Sequence, residues 1–190
     1  MENTTSFLTD QSVAALRGQI GKKLCMAFTP KVDVNLVTNS VQTGPLSLWS
    51  HKEQTGEHEF LSIWMEHKEA AGMLDYQLLT VGLKDKPQGI KYGITENNRT
   101  GFLEKKCGIR IGELNPLQRV GIFAKSVANN DVAIDYDHAI GFFLADETVC
   151  LVAGSGIPFP FLEIKTINVA DVRSEPILKG CELRLQVQDT

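Results

Sequence analysis

The run "NNDVAIDYDHAIGF" brings Asp131, Asp135, Asp137 and His138 together. General acid–base chemistry needs two carboxylates in reach of each other, or a carboxylate with a histidine. Asp135, Asp137 and His138 are therefore the catalytic candidates, placed where they could surround a small ligand at the start of a strand. The same residues also suit a polar turn, where Asp and Asn bond to nearby backbone. A cleft and a shifted pKa are the marks that separate the two readings.

A second group lies earlier in the chain. His51, His58 and His67 fall within seventeen residues and among five glutamates, Glu53, Glu57, Glu59, Glu66 and Glu69. A hairpin turning at Thr55-Gly56 sets Glu53 opposite His58, with His51 two residues along on the same face. Imidazole and carboxylate both bind zinc, so His51, Glu53 and His58 form a candidate metal set. A cross-strand Glu–His pair at an exposed tip explains them equally well. No HExxH or similarly spaced motif supports the metal, so none is favoured and no cofactor is expected.

Trp49, Phe60 and Trp64 share a face of the same strand pair. A covered aromatic cluster is core. An uncovered one is a binding surface, since large exposed apolar patches mark interaction sites.

Ser155 sits in "VAGSGIPFP". A nucleophile elbow needs Gly-x-Ser-x-Gly between strand and helix. Here the glycines directly flank the serine, and Pro158 and Pro160 follow, which a long helix does not tolerate beyond its first turn. A phosphate loop needs a following helix N-terminus, and the chain holds no Gly-Lys-Ser/Thr. The stretch instead reads as strand, turn and strand. Its prolines lack N–H donors, which places the return strand at a sheet edge or across a bulge.

These side chains need a scaffold. The 190 residues suffice for one core, with 43% hydrophobic and 22% charged residues. The net charge of −4 argues against nucleic acid, which usually selects a basic stripe. No apolar run approaches the ~20 residues of a membrane helix. Met1 to Thr9 lacks the pattern of a secretory signal, so a cytoplasmic protein is expected. Cys25, Cys107, Cys150 and Cys181 are widely spaced and read as reduced, structural thiols.

One amphipathic helix is predicted near the start. Thr9 or Asp10 caps it, Val13, Leu16 and Ile20 form its apolar face, and Gly18 and Gly21 end it. Beyond that the period is two. Strand-like runs occur at Leu24–Thr29, Val32–Leu36, Leu46–His51, Leu61–Met65, Gln77–Leu83, Ile109–Gly112, Val120–Lys125, Val132–Tyr136, Ile140–Leu144, Val149–Ala153, Phe161–Thr166 and Leu183–Val187. The first hairpin is predicted to set Leu48 against Ile63 and Leu46 against Met65. A turn at Asp146-Glu147 sets Leu144 against Val149 and Phe142 against Leu151. That second hairpin is apolar on both faces and belongs at the centre of the protein.

The expected fold is α+β and predominantly antiparallel β, a sheet sandwich or partly closed barrel with one N-terminal helix. It forms a single domain, with a weak subdivision into β halves 1–82 and 99–190 around the polar stretch 83–98. The expected function is non-enzymatic, that of a small acidic immunity- or adaptor-like protein that binds a protein partner. One alternative is a small-molecule-binding domain or enzyme using Asp135, Asp137 and His138, or a metal at His51, Glu53 and His58. Another is a structural subunit, self-associating through an edge such as Glu182–Gln188. Neither nucleic acid nor membrane is an expected partner.

Overall fold

The computed structural model describes residues 2–51, 58–94, 101–104, 106–156 and 160–188. The strands in chain order are β1 (Glu2–Ser6), β2 (Lys23–Thr29), β3 (Val32–Asn35), β4 (Ser40–Thr43), β5 (Leu46–His51), β6 (His58–Ala70) and β7 (Leu74–Lys84). They continue as β8 (Lys91–Ile94), β9 (Gly101–Glu104), β10 (Cys107–Ala128), β11 (Val132–Leu144), β12 (Thr148–Ser155), β13 (Phe161–Asn168) and β14 (Cys181–Gln188). Among the described residues there is one α-helix, α1 (Asp10–Arg17), which follows β1. The fold is mostly antiparallel β in a nearly closed, barrel-like sheet with one short N-terminal helix.

The main sheet runs β3-β4-β13-β12-β11-β10-β2-β5-β6-β7, with β1 added to β11 and β14 to β10. Strands from before and after residues 83–98 alternate in it, since β4 pairs with β13 and β2 with β10. The 22-residue β10 joins its two parts. It pairs with β2 through Pro116, then with β14 from Arg119 to Lys125. The register jumps between Arg110 and Asn115.

One continuous core fills the interior. Leu24, Leu46, Leu48, Leu61 and Ile63 meet Ile122, Ile140, Phe142, Cys150 and Val152, and each of these is fully buried. Period-two alternation delivers these residues to one face. On β11 and β12 the opposite face is buried as well. Phe123, Phe143 and Leu151 pack under Val172 and Leu178 of the segment that follows β13. The central position expected for this hairpin is therefore observed, and it explains why β12 reads as an unbroken apolar run.

Both hairpin registers differ from the expected ones. Leu46 opposes Ile63 and Leu48 opposes Leu61, a two-residue slip from expectation. A slip of two preserves which face each side chain occupies. At the second hairpin Phe142 opposes Cys150 and Phe143 opposes Val149, a slip of one. Its loop has three residues, ending on Glu147 at φ 63°, and the Asp146 carboxylate accepts a 3.1 Å bond from Thr148 N–H. With both faces apolar, the hydrophobic pattern could not fix this register.

The return strand β13 is also not at an edge, since β12 and β4 flank it. Pro160 precedes the strand, and Pro158 lies outside the described residues. Gly156 makes the turn, at φ 79°.

Helix α1 lies against the last strand of the path. Thr9 caps it, accepting a 3.2 Å bond from Ser12 N–H. Leu16 and Ala15 enter the core. Ser12 Oγ donates to the Val81 carbonyl oxygen of β7 at 2.8 Å, which satisfies an edge acceptor where the sheet stops.

Candidate functional site

The Asp135–His138 run lies where β11 is bulged. Phe123 opposes Ala139 but Ala124 opposes Asp137, so β10 has no counterpart for His138. On the other side of β10, Ile122 opposes Leu185 and Phe123 opposes Leu183, which leaves Arg184 as the extra residue. Two bulges thus flank β10 at one level, and bulges re-aim side chains.

Their product is a closed ionic clasp. Asp137 is 0% exposed. Its Oδ1 accepts from Arg184 Nε and its Oδ2 from Arg184 Nη2, both at 2.7 Å. Oδ2 also accepts the Leu8 backbone N–H at 2.7 Å. The Phe7 ring stacks on the guanidinium, 4.3 Å from Cζ. A carboxylate buried among these three bonds is structurally committed. It ties the β1–α1 connection to β11 and β14.

Its neighbours go separate ways. Asp135 is exposed and accepts a hydrogen bond from Ser126 Oγ. His138 stands edge-on to Tyr136, centroids 5.9 Å apart, with its Nδ1 buried and unpartnered. Burial, and secondarily the Lys125 charge, lower its pKa to about 4 against a backbone hydrogen bond at Ile177. Burial also raises the Tyr136 hydroxyl, with help from Cys181. The shifted pKa expected of an active site is thus present on His138, but its cause is desolvation. The structure does not join Asp135, Asp137 and His138 around one ligand.

His51 and His58 are Cα partners across the β5–β6 ladder. Their side chains and all of Glu53 lie outside the described residues. His67 lies further along β6 and bonds to Asp75 at 2.8 Å. Among the described residues no three His, Cys, Asp or Glu side chains gather as a metal site. Glu59, from the same acidic segment, pairs with Lys22 and accepts from Gln19 Nε2 at 2.9 Å.

The aromatic trio divides. Trp49 opposes Phe60, and Phe60 is buried with Phe28 and Ile90. Trp49 packs against that cluster from the side. Trp64 is only partly buried. It lines a groove of about 550 Å³ between α1 and β7, whose walls include Thr9, Ser12, Thr80, Gly82 and Lys84. It also lines a cleft of about 220 Å³ with Pro45, Met65, Gln88 and Phe161. Lys84 Nζ stands 5.6 Å from the Trp64 ring centroid. Gly82 opens the floor, since a Cβ there would sit 3.7 Å from the indole.

Two residues escaped the sequence reading. Arg184 sits inside a clean Leu–x–Leu–x–Val alternation that marks it as an ordinary outward charge. Lys84 belongs to the polar stretch taken as a connection. Neither has a sequence spacing to its partner that any motif encodes. No protein-family model matches the chain, and no curated protein or solved structure is significantly similar to it.

Proposed function

We propose that this chain is a non-enzymatic binding protein whose contact surface for a protein partner centres on Trp64. The observation that carries the reading is the position of that indole. Like Trp49 it is only partly buried, but it lies where a 550 Å³ groove and a 220 Å³ cleft both reach it, and it carries a cation above its ring. Tryptophan in a concave surface is a favoured interface anchor. An aliphatic or aromatic side chain on the partner would pack on the indole, and a carboxylate would meet Lys84. Asp137, the buried candidate acid, is occupied by Arg184 and Leu8, which favours binding over acid–base chemistry at that run.

The test is a quantitative pull-down from the native cell, comparing the wild type with Trp64→Ala and Lys84→Glu. The partner recovered by the wild type is expected to fall at least ~10-fold with Trp64→Ala. Lys84→Glu should reduce it and weaken its salt dependence. Equal recovery by all three folded proteins would refute the assignment of this surface.

A further inference from the structure

One row of directly opposed apolar residues crosses seven strands: Leu185, Ile122, Ile140, Val152, Ile164, Val41 and Val34. Its middle members are buried, from 0 to 3% exposed between Ile122 and Ile164. The row emerges at β3, where Val34 is 64% exposed. Among the described residues β3 pairs only with β4, so its outer ladder is open. The adjoining turn continues the apolar surface, with Leu36 at 87% and Val37 at 95% exposure. The turn is held in shape. Asn35 Oδ1 accepts from Val37 N–H at 3.0 Å and Thr38 N–H at 3.3 Å, and Asn39 takes φ 51°. The edge is short and carries the exposed Lys31–Asp33 ion pair on its other side, so its uncovered apolar side is confined to Val34 and the turn beyond it.

We infer that β3 is a self-association edge, which pairs antiparallel with β3 of a second copy about a two-fold axis at Val34. The strand carries its own complement in that register. Val34 meets Val34 of the other copy, and Val32 comes opposite the exposed turn residue Leu36 of the other copy. On the opposite side Asp33 faces Asn35 of the second copy, whose Nδ2 can donate to the carboxylate while its Oδ1 holds the turn. Moving the axis one residue to Asp33 would set two carboxylates against each other, which disfavours that register. The apolar patch is on the order of a few hundred Å² per copy, so the contact belongs with the small, reversible interfaces. This inference uses a different part of the sheet from Trp64 and does not rest on the function proposed above.

Sedimentation velocity on the whole chain, from about 1 to 200 µM, reads the outcome at the affinities small interfaces reach. The wild type should move from the 21.0 kDa chain mass toward twice that value as concentration rises. Val34→Lys should stay monomeric throughout with unchanged circular dichroism, since the residue is exposed and its replacement removes no core contact. Leu183→Asp, at another exposed apolar position on β14, should behave as the wild type. A wild type that is monomeric at 200 µM overturns the inference and leaves the edge open to a foreign strand or to none. A dimer that survives Val34→Lys, or that Leu183→Asp abolishes, overturns it in favour of another interface.

Discussion

Asp137 and Arg184 form a bidentate pair across β10, with both nitrogen–oxygen distances at 2.7 Å and the carboxylate fully buried. The two residues are 47 positions apart and meet because each lies at a bulge on its own side of the same strand. The carboxylate also fastens the Leu8 N–H. The clasp therefore fixes the sheet and the helix approach together. Removing one partner of a buried pair leaves the other uncompensated. Asp137→Ala is expected to cost about 3–5 kcal/mol in urea denaturation. Arg184→Lys should recover only part of a comparable loss, because an ammonium cannot make both bonds of the planar fork. An Asp137→Ala protein as stable as the wild type would show that the clasp does not hold the fold.

His138 makes a pH prediction with a definite sign. Its folded pKa of about 4 lies below the ordinary 6.5. The unfolded chain therefore binds the proton more readily between those values. The stability associated with neutral His138 is complete above about pH 6.5 and is lost as pH falls toward 4. At pH 5 the loss relative to pH 7.5 should be about 2 kcal/mol. His138→Gln should remove that increment. Denaturation midpoints of the two proteins at the two pH values give the comparison, and parallel behaviour would count against it.

Cys150 should be inert. Burial raises its thiol pKa to about 12. Thiolate is the reactive form, so an alkylating agent at pH 8 should leave Cys150 unmodified in the native protein. Cys107 and Cys181 are partly exposed and free and should label, Cys181 more slowly because burial raises its thiol pKa. Peptide mass mapping before and after denaturation distinguishes the sites.

Gly154 is a packing requirement where β12 approaches β6 and β7. A Cβ there would lie 2.6 Å from Met65 Sδ and 3.0 Å from Gln77 Oε1. Gly154→Ala should destabilise by about 1–3 kcal/mol through overpacking. Combined with Met65→Ala, the cost should fall below the sum of the single changes, as expected for residues in contact. Strict additivity would deny the contact.

Ser12→Ala tests the seam between α1 and β7. It removes the donor to the Val81 carbonyl and should cost about 1–2 kcal/mol. Thr9→Ala removes the helix cap and should cost about 1 kcal/mol. A hydrogen-exchange increase confined to α1 and β7 would identify the seam as the element that opens first.

Much of the fold was legible because local rules are strong. Alternation of Leu46, Leu48, Leu61 and Ile63 places their strands and their buried faces, and the Thr9 cap marks the helix start. The polar β4 was not legible, since Ser40, Gln42 and Thr43 lack apolar alternation and owe their strand to β3 and β13 beside them. The gaps between the runs Ile109–Gly112 and Val120–Lys125, and between Val132–Tyr136 and Ile140–Leu144, lie inside the single long strands β10 and β11, where ladder partners outweigh local bulges.

At the level of sites, residue types alone determined a shortlist: Asp135, Asp137 and His138, the hairpin histidines, and the Trp49–Phe60–Trp64 face. Tertiary structure decided what each member can do. It closed Asp137 with Arg184, partly buried His138, packed Phe60 with Ile90, and left Trp64 at a groove beside Lys84. It also left Val34 exposed at one end of a row whose middle members are buried. The reason is physical. Periodicity states which side of a strand a residue takes, whereas burial and pairing depend on which distant strand, loop or helix covers that side.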